Sequence, residues 1–435
     1  MKILRLAALF LLAALPARAE TAIQTVTSPG GLTAWLVEDH QIPFTALEIR
    51  FQGGTSLDEP GKRGAVNLMT ALIEEGTGDL DSQGFARARD DLAASFSFDS
   101  DADSVSVSAR FLTENREAAV DLLRRALTEP RFDQDAIDRV REQVLANLRS
   151  NEKDPAKIAG EIFDAQVFGD HPYATDGSGT AESVAALTRD DILSAHRASL
   201  ARDRVLIAAA GDITPEELGL LVDALLAGLP QTGAPQPEEA SPTFAGGITV
   251  KDFPGPQSVI LFGTAGIGFD DPDYFAASVL NEILGGGRFS ARLMTEVREK
   301  RGLTYGIGTA LAGYDHADLL MGQLSSDNTK AAEAIQVIRD QWAEIAANGV
   351  TPEELDVAKT YMTGAYPLRF DGNSRIASIL VGMQSLELTP DYPKTRNDRV
   401  NAVTIEDVQR VAKRLLVPET LTFVVVGQPQ NLPNP

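Results

Sequence analysis

Two stretches of this chain, 216 positions apart, follow one plan. Leu187-Thr188, Asp191-Ile192 and Ala208 to Gly211 fall without a gap on Val403-Thr404, Asp407-Val408 and Val424 to Gly427. In each copy a Thr precedes an acid-rich turn, the pattern of a helix start, and a β-rich run then ends in Gly. Agreement over about 25 residues indicates a duplicated domain. Whatever fold the first copy adopts, the second must adopt as well. Between the copies, PQTGAPQPEEASPTFAGG, from Pro230 to Gly247, combines Pro, Gly and Glu with almost no apolar residue, which is linker composition. The expected layout is one domain over 20–229, a linker over 230–246 and a second domain over 247–435.

Each half opens on strands, continues in helices and closes on a strand. Alternating apolar runs at Ala46 to Phe51, Ser95 to Phe98 and Val105 to Phe111 predict strands with one buried face. Helical spacing follows over Glu114 to Leu127 and Gln134 to Leu148, then a closing strand over Val205 to Ala210. The second half repeats this with strands near Ser258 to Phe262 and Leu303 to Ala310, helices over Lys330 to Ala347 and Pro352 to Thr363, and a last strand over Leu421 to Val426. Clustered strands and clustered helices predict an α+β fold rather than a parallel β-α-β alternation.

The charged start Met1 to Arg5, the apolar run Leu6 to Leu15 and the small-residue site Ala17-Arg18-Ala19 read as a secretory signal peptide, 1–19. A periplasmic or secreted protein is expected. No later run reaches the ~20 apolar residues of a membrane span. The absence of Cys fits an exported chain without disulfides. A formal net charge of −23 argues against nucleic acid or an anionic membrane surface as partner.

The segment Asn281 to Tyr305, NEILGGGRFSARLMTEVREKRGLTY, carries a Gly-rich turn, Arg298, a Gly302 break and Tyr305. It resembles the second-half signature of the pitrilysin/insulinase family of zinc peptidases, and the resemblance extends over nearly the whole chain, including GDHPY at Gly169 to Tyr173 and DPDY at Asp271 to Tyr274. It implies two related domains, each an antiparallel sheet backed by helices, joined as a half-shell that closes with a second half-shell on a peptide. In that family the first half carries a His-x-x-Glu-His zinc motif and a later Glu ligand. Here Gly64 to Thr77, GAVNLMTALIEEGT, keeps the flanking Gly64, Gly76 and Thr77. In this register the two histidines fall on Asn67 and Ala71, the catalytic glutamate on Thr70, and, in VREQVLANLRS, the third ligand on Asn147. A catalytic zinc takes three ligands from His, Cys, Asp and Glu, with a carboxylate beside the bound water, and these residues supply none. Helical spacing places Ala65, Leu68, Met69, Leu72 and Ile73 on a core face, and Asn67, Thr70, Ala71 and Glu74 on the opposite stripe. The four histidines, His40, His171, His196 and His316, are scattered. A self-sufficient site with relocated ligands is therefore a poor reading.

The resemblance implies that Arg298 and Tyr305 contact the substrate backbone or the oxyanion of the scissile carbonyl, roles that a guanidinium fork and a phenol suit. The plain alternative is a surface Arg paired with Glu296 or Glu299 and a half-buried strand Tyr. For Gly285, Gly286 and Gly287 the choice lies between a backbone edge approaching an extended peptide and a turn between helices; a phosphate loop is excluded by the missing Gly-Lys-Ser/Thr ending. Glu74 and Glu75 read as ordinary charges at a helix end. The expected function is a non-catalytic subunit of a heteromeric zinc peptidase, without cofactor of its own, donating Arg298 and Tyr305 to a zinc-bearing homologous partner. The alternative is a catalytically inert peptide-binding or scaffold protein of the same fold.

Overall fold

Strands form where apolar and polar residues alternate, and the computed structural model, which describes residues 22–432, gathers them into two main sheets. The expected signal peptide, 1–19, lies outside the described residues. The first sheet contains β1 (Gln24–Thr27), β2 (Thr33–Glu38), β3 (Phe44–Gln52), β6 (Ser95–Ser100), β7 (Ser104–Leu112) and β8 (Val205–Gly211), ordered β1-β2-β8-β3-β7-β6. A two-residue ribbon, β4 (Gly76–Thr77) and β5 (Leu80–Asp81), stands apart. The second sheet contains β9 (Gly247–Asp252), β10 (Gln257–Ala265), β11 (Ile307–Tyr314), β12 (Ala317–Asp327) and β13 (Thr422–Gly427), ordered β11-β12-β10-β13-β9.

Position by position the sheets match. β2, β8, β3, β7 and β6 correspond to β9, β13, β10, β12 and β11, with β1 as an addition. Both are antiparallel except for one pair, β2 with β8 and β9 with β13, which run parallel. The expected antiparallel sheet is present in each half with one parallel pair, which arises because the closing strand returns beside the opening one after the helices, a connection long enough for a parallel crossover.

The helices follow the same plan less completely, with eight in the first half and six in the second among the described residues. In the first half they are α1 (Ala65–Leu72), α2 (Ser82–Asp91), α3 (Arg116–Thr128), α4 (Gln134–Asn151), α5 (Pro155–Phe168), α6 (Ala181–Ala186), α7 (Arg189–Ser199) and α8 (Pro215–Leu226). In the second they are α9 (Tyr274–Gly285), α10 (Ala331–Asn348), α11 (Pro352–Ala365), α12 (Asn373–Ser385), α13 (Tyr392–Ala402) and α14 (Ile405–Leu415). Helices α7 and α14 begin with the same capping box, Thr188 with Asp191 and Thr404 with Asp407, which is the repeat legible in the sequence. One face of each sheet packs on its own helices, through Leu47, Ile49, Phe51, Val107 and Phe111 in the first half and Ile260, Phe262, Leu324, Trp342 and Phe423 in the second.

The other faces are covered crosswise. Ala159, Phe163 and Val167 of α5 pack on Val424, Val426 and Leu319 of the second sheet. Ala377, Leu380 and Val381 of α12 pack on Trp35, Val37, Ala46, Ala208 and Ala210 of the first. Each half thus gives one helix to the other's sheet. The Pro-rich stretch 230–246 is tied down along the seam: Gln236 Nε2 donates to Gln52 O (3.0 Å), Ala240 N to His316 O (3.0 Å) and Thr243 N to Val167 O (2.9 Å).

Candidate functional site

The frame of the first-half motif survives because the backbone requires it. Gly64 precedes α1 at φ +94°, where a Cβ would lie 2.7 Å from Ser178 O, and Gly76 sits at φ +127° against Leu80 O. The Thr77 hydroxyl donates to Arg125 O and Glu129 O. Asp58 accepts from Gly64 N (2.7 Å) and Val66 N (2.8 Å), capping α1. None of these needs a metal.

Within that frame Leu68, Met69, Leu72 and Ile73 are buried as the spacing predicts. Asn67 is half-buried, and Ala71 and Asn147 are exposed. Thr70 departs from expectation. It is 3% exposed rather than on the open stripe, because its hydroxyl turns inward and donates to Val66 O at 2.8 Å. An amide, a methyl, an internally bonded hydroxyl and a second amide do not fit a zinc ion. Among the described residues no group of three or more His, Cys, Asp or Glu side chains is placed to hold a metal. Glu74 pairs with Arg89 (3.0 Å) and Glu75 with Arg139, so both carboxylates are engaged at the helix end.

Asn67 opens instead on a cleft of about 270 Å³ between α1 and α5, shared with Asp164, Asp176, Tyr173 and Tyr314. Burial, then the neighbouring Asp176 and Glu161, push the Asp164 carboxyl up to about 6. On the same seam the Tyr173 hydroxyl, from the GDHPY phrase, donates to Asp103, whose other oxygen accepts from Asp315 N at 3.0 Å. Burial followed by the Asp103 charge pushes Asp315 up to about 6. This polar seam joins the two halves.

The second-half signature builds a different place. Helix α9 ends at Gly285, and a Cβ there would lie 2.5 Å from Thr309 Oγ1 and 2.8 Å from Thr309 N, so glycine lets the helix end touch β11. Gly287 takes φ +82° and turns the chain. A six-residue π-helical segment, Met294–Glu299, follows, fixed by Arg292 reaching both oxygens of Glu354 (2.5 and 2.8 Å). Glu296 bonds Lys300 (2.6 Å) and Arg301 (2.7 Å), not Arg298. Arg298 has no hydrogen-bond or ion-pair partner for its guanidinium among the described residues and lies 4.5 Å over the Phe289 ring. Tyr305 is 88% exposed, in the loop before β11, which starts at Ile307 rather than at Leu303. The surface ion pair and the half-buried strand tyrosine are thus both absent.

Gly285, Gly286, Gly287 and Tyr305 border a groove of about 820 Å³ along β11, the edge strand of its sheet. Its floor is the face turned away from the second half's own helices and shared with α5, with Gln257, Val259 and Leu261 from β10, Met321, Gln323 and Ser325 from β12, and Ala156 of α5 at its border. These floor residues were missed in the sequence, although the alternation in Ala317–Asp327 marks two faces. Arg298 does not line this groove, and Asn67 belongs to the separate α1–α5 cleft. The structure therefore brings Tyr305 and the glycines together and leaves the vacant zinc positions elsewhere. Ile307 N donates to Met294 Sδ (3.4 Å), and beyond it the outer side of this edge strand, beside a groove this size, is a template for an added peptide strand.

Comparisons with known proteins agree with this architecture. A family model described as insulinase (peptidase family M16) matches residues 34–180, and one described as peptidase M16 inactive domain matches residues 186–362. A Helicobacter pylori protein named non-peptidase homolog YmxG is 26% identical over 394 residues, covering 90% of each chain. An uncharacterized zinc protease of Mycobacterium leprae is 28% identical over 404 residues, covering 90% of this chain and 88% of its own. Among solved structures, a Pseudomonas fluorescens peptidase M16 inactive domain superposes with a TM-score of 0.88 at 29% identity, covering 95% of this chain and 99% of the other.

Proposed function

The chain belongs to the insulinase (M16) peptidase family, as a member whose zinc motif is gone, and from that premise we propose that it is the non-catalytic subunit of a heteromeric peptidase whose zinc sits in a homologous partner. In this reading the β11 groove holds part of an extended peptide, and Arg298 and Tyr305 reach the substrate on the partner's active site. The observation that carries it is the state of those two side chains. A guanidinium with no carboxylate partner among the described residues and a phenol 88% exposed contribute little to this chain's own stability, whereas five N–H donors and one O–H donor suit a carbonyl oxygen gaining charge. Export to the periplasm, where a partner with the same leader would be met, belongs to the same proposal.

Metal analysis and peptide cleavage test the first half of this reading. The purified chain is expected to hold no stoichiometric zinc and to cleave no unstructured peptide. One tightly held zinc per chain with chelator-sensitive cleavage would overturn it. For the second half, the chain is purified from its host with whatever copurifies, and the mixture is assayed at equal zinc content. Removal of one oxyanion donor costs about 10² to 10³ in kcat, so Tyr305→Phe should slow the assembled enzyme by a comparable factor without loosening assembly. Full activity of the Arg298→Ala, Tyr305→Phe double variant would reduce the chain to an inert scaffold of the same fold.

A further inference from the structure

The duplicated architecture leaves a cleft beside the exchanged helix in both halves, and the two clefts have diverged. In the first half the space between α1 and α5 is polar and acidic, lined by Asn67 and Asp164. Its counterpart in the second half, between α9 and α12, is aromatic. Phe269, Tyr274, Tyr366, Phe370 and Tyr392 surround a cleft of about 380 Å³, with ring centroids 4.5 Å apart for Phe269 and Tyr274 and 5.6 Å for Tyr366 and Phe370. That volume and lining are those of a small-molecule site, mostly apolar with a few placed polar groups.

The placed groups here are cationic, in a chain of net charge −23. Arg396 lies 4.6 Å over the Tyr366 ring and is held by Met362 O (2.8 Å) and Asn397 Oδ1 (3.1 Å). Arg399, which does not itself line the cleft, lies 5.7 Å over Phe275 and 5.9 Å over Tyr392. Arg369, on the turn Pro367–Arg369, lines the cleft and has no hydrogen-bond or ion-pair partner for its guanidinium among the described residues. An apolar space with an unpaired cation at its edge suits a molecule with a hydrocarbon body and one anionic end. The walls are supplied chiefly by α9, α11, α12 and α13, whose backbone amides are spent within their own helices. A peptide would bring amides that find few partners there, at a desolvation cost; a hydrocarbon chain brings none.

We propose that this cleft binds a free single-chain aliphatic carboxylic acid, its chain among the aromatic rings and its carboxylate on Arg369. The site is independent of the β11 groove and of Arg298 and Tyr305. Titration of the full chain with ¹³C-carboxyl-labelled dodecanoate, below its micelle concentration, is expected to give one saturable bound carboxylate signal. Arg369→Gln, an exposed position, should weaken dodecanoate at least tenfold and leave dodecanol unchanged. Gly382 lines the cleft from within α12, and a Cβ there meets nothing within 4 Å. Gly382→Leu should therefore fill the space and abolish binding while keeping or raising the melting temperature, since a helix favours Leu over Gly. Absence of a saturable signal, equal weakening of acid and alcohol by Arg369→Gln, unchanged binding in Gly382→Leu, or tighter binding of an apolar peptide than of dodecanoate would each overturn the proposal.

Discussion

A single guanidinium supports the turns beneath the vacant helix. Arg63 donates to the backbone oxygens of Asp176 (3.2 Å), Thr55, Pro172 (2.9 Å) and Thr175 (2.7 Å), tying the connection between β3 and α1 to the one between α5 and α6. Burial lowers its pKa, with Asp58 opposing, yet an arginine stays charged. Arg63→Met strands those carbonyls, and a loss of about 3 kcal/mol or more is expected from urea unfolding. Lys should not rescue it, because one ammonium cannot match the planar fork. Thr70→Val, by contrast, removes a hydroxyl that serves only Val66 O of its own helix, so stability should change by less than about 1 kcal/mol.

At the scale of elements, the closing helices and the α9–β11 junction carry the clearest expectations. Thr404 accepts from Asp407 N (3.2 Å), and Asp407 accepts from Thr404 N (3.0 Å). Thr404→Ala should cost about 1 kcal/mol. The Thr404 backbone N–H, then Arg410 and the Thr404 hydroxyl, hold the Asp407 carboxyl down at about 2, below its ordinary 3.8. A depressed carboxylate stabilises the fold above the ordinary value and loses that effect as pH falls through the folded one. Asp407→Asn should therefore be less stable than the parent at pH 6, and the two melting curves should converge as pH approaches 2. Gly285→Ala places a methyl against Thr309 Oγ1 and N, and a loss of about 1–3 kcal/mol is expected as α9 is pushed from β11. The same variant should show weaker peptide binding in the groove by fluorescence anisotropy.

Across the whole molecule, stability depends on the exchange of α5 and α12. Residues 20–229 expressed alone lack α12 and leave Trp35, Val37, Ala208 and Ala210 facing water, so that piece should aggregate, and co-expression of 247–435 should recover soluble complex. The seam also responds to acid. Asp164 is raised from 3.8 to about 6 by burial and by Asp176 and Glu161. A raised carboxyl contributes stability that is complete below 3.8 and lost as pH rises through about 6. Asp164→Asn should consequently raise the melting temperature at pH 7 and have little effect at pH 4. A shift of this size is worth about 3 kcal/mol before solvent screening, so half of that or less is the expected gain. A variant no more stable at pH 7 than the parent would show that water reaches the carboxylate.

Local rules made much of this chain legible. The α+β class, the matching capping boxes at Thr188 and Thr404, the buried stripe of α1 and the limits of α4, α10 and α11 to within a few residues follow from periodicity and capping, which act over neighbours in sequence. The loss of ligand chemistry at Asn67, Ala71 and Asn147 is a matter of residue type and needs no coordinates. The inward turn of Thr70, the exposure of Tyr305 and the isolation of Arg298 from Glu296 were settled by which partners surround each side chain in space, and Glu296 was taken by Lys300 and Arg301. Only the tertiary structure decided that α5 and α12 cross between the halves, because their apolar faces fit either sheet equally as sequence patterns. The parallel pair that closes each sheet and the open edge of β11 are likewise contacts between residues far apart in the chain, where periodicity carries no information.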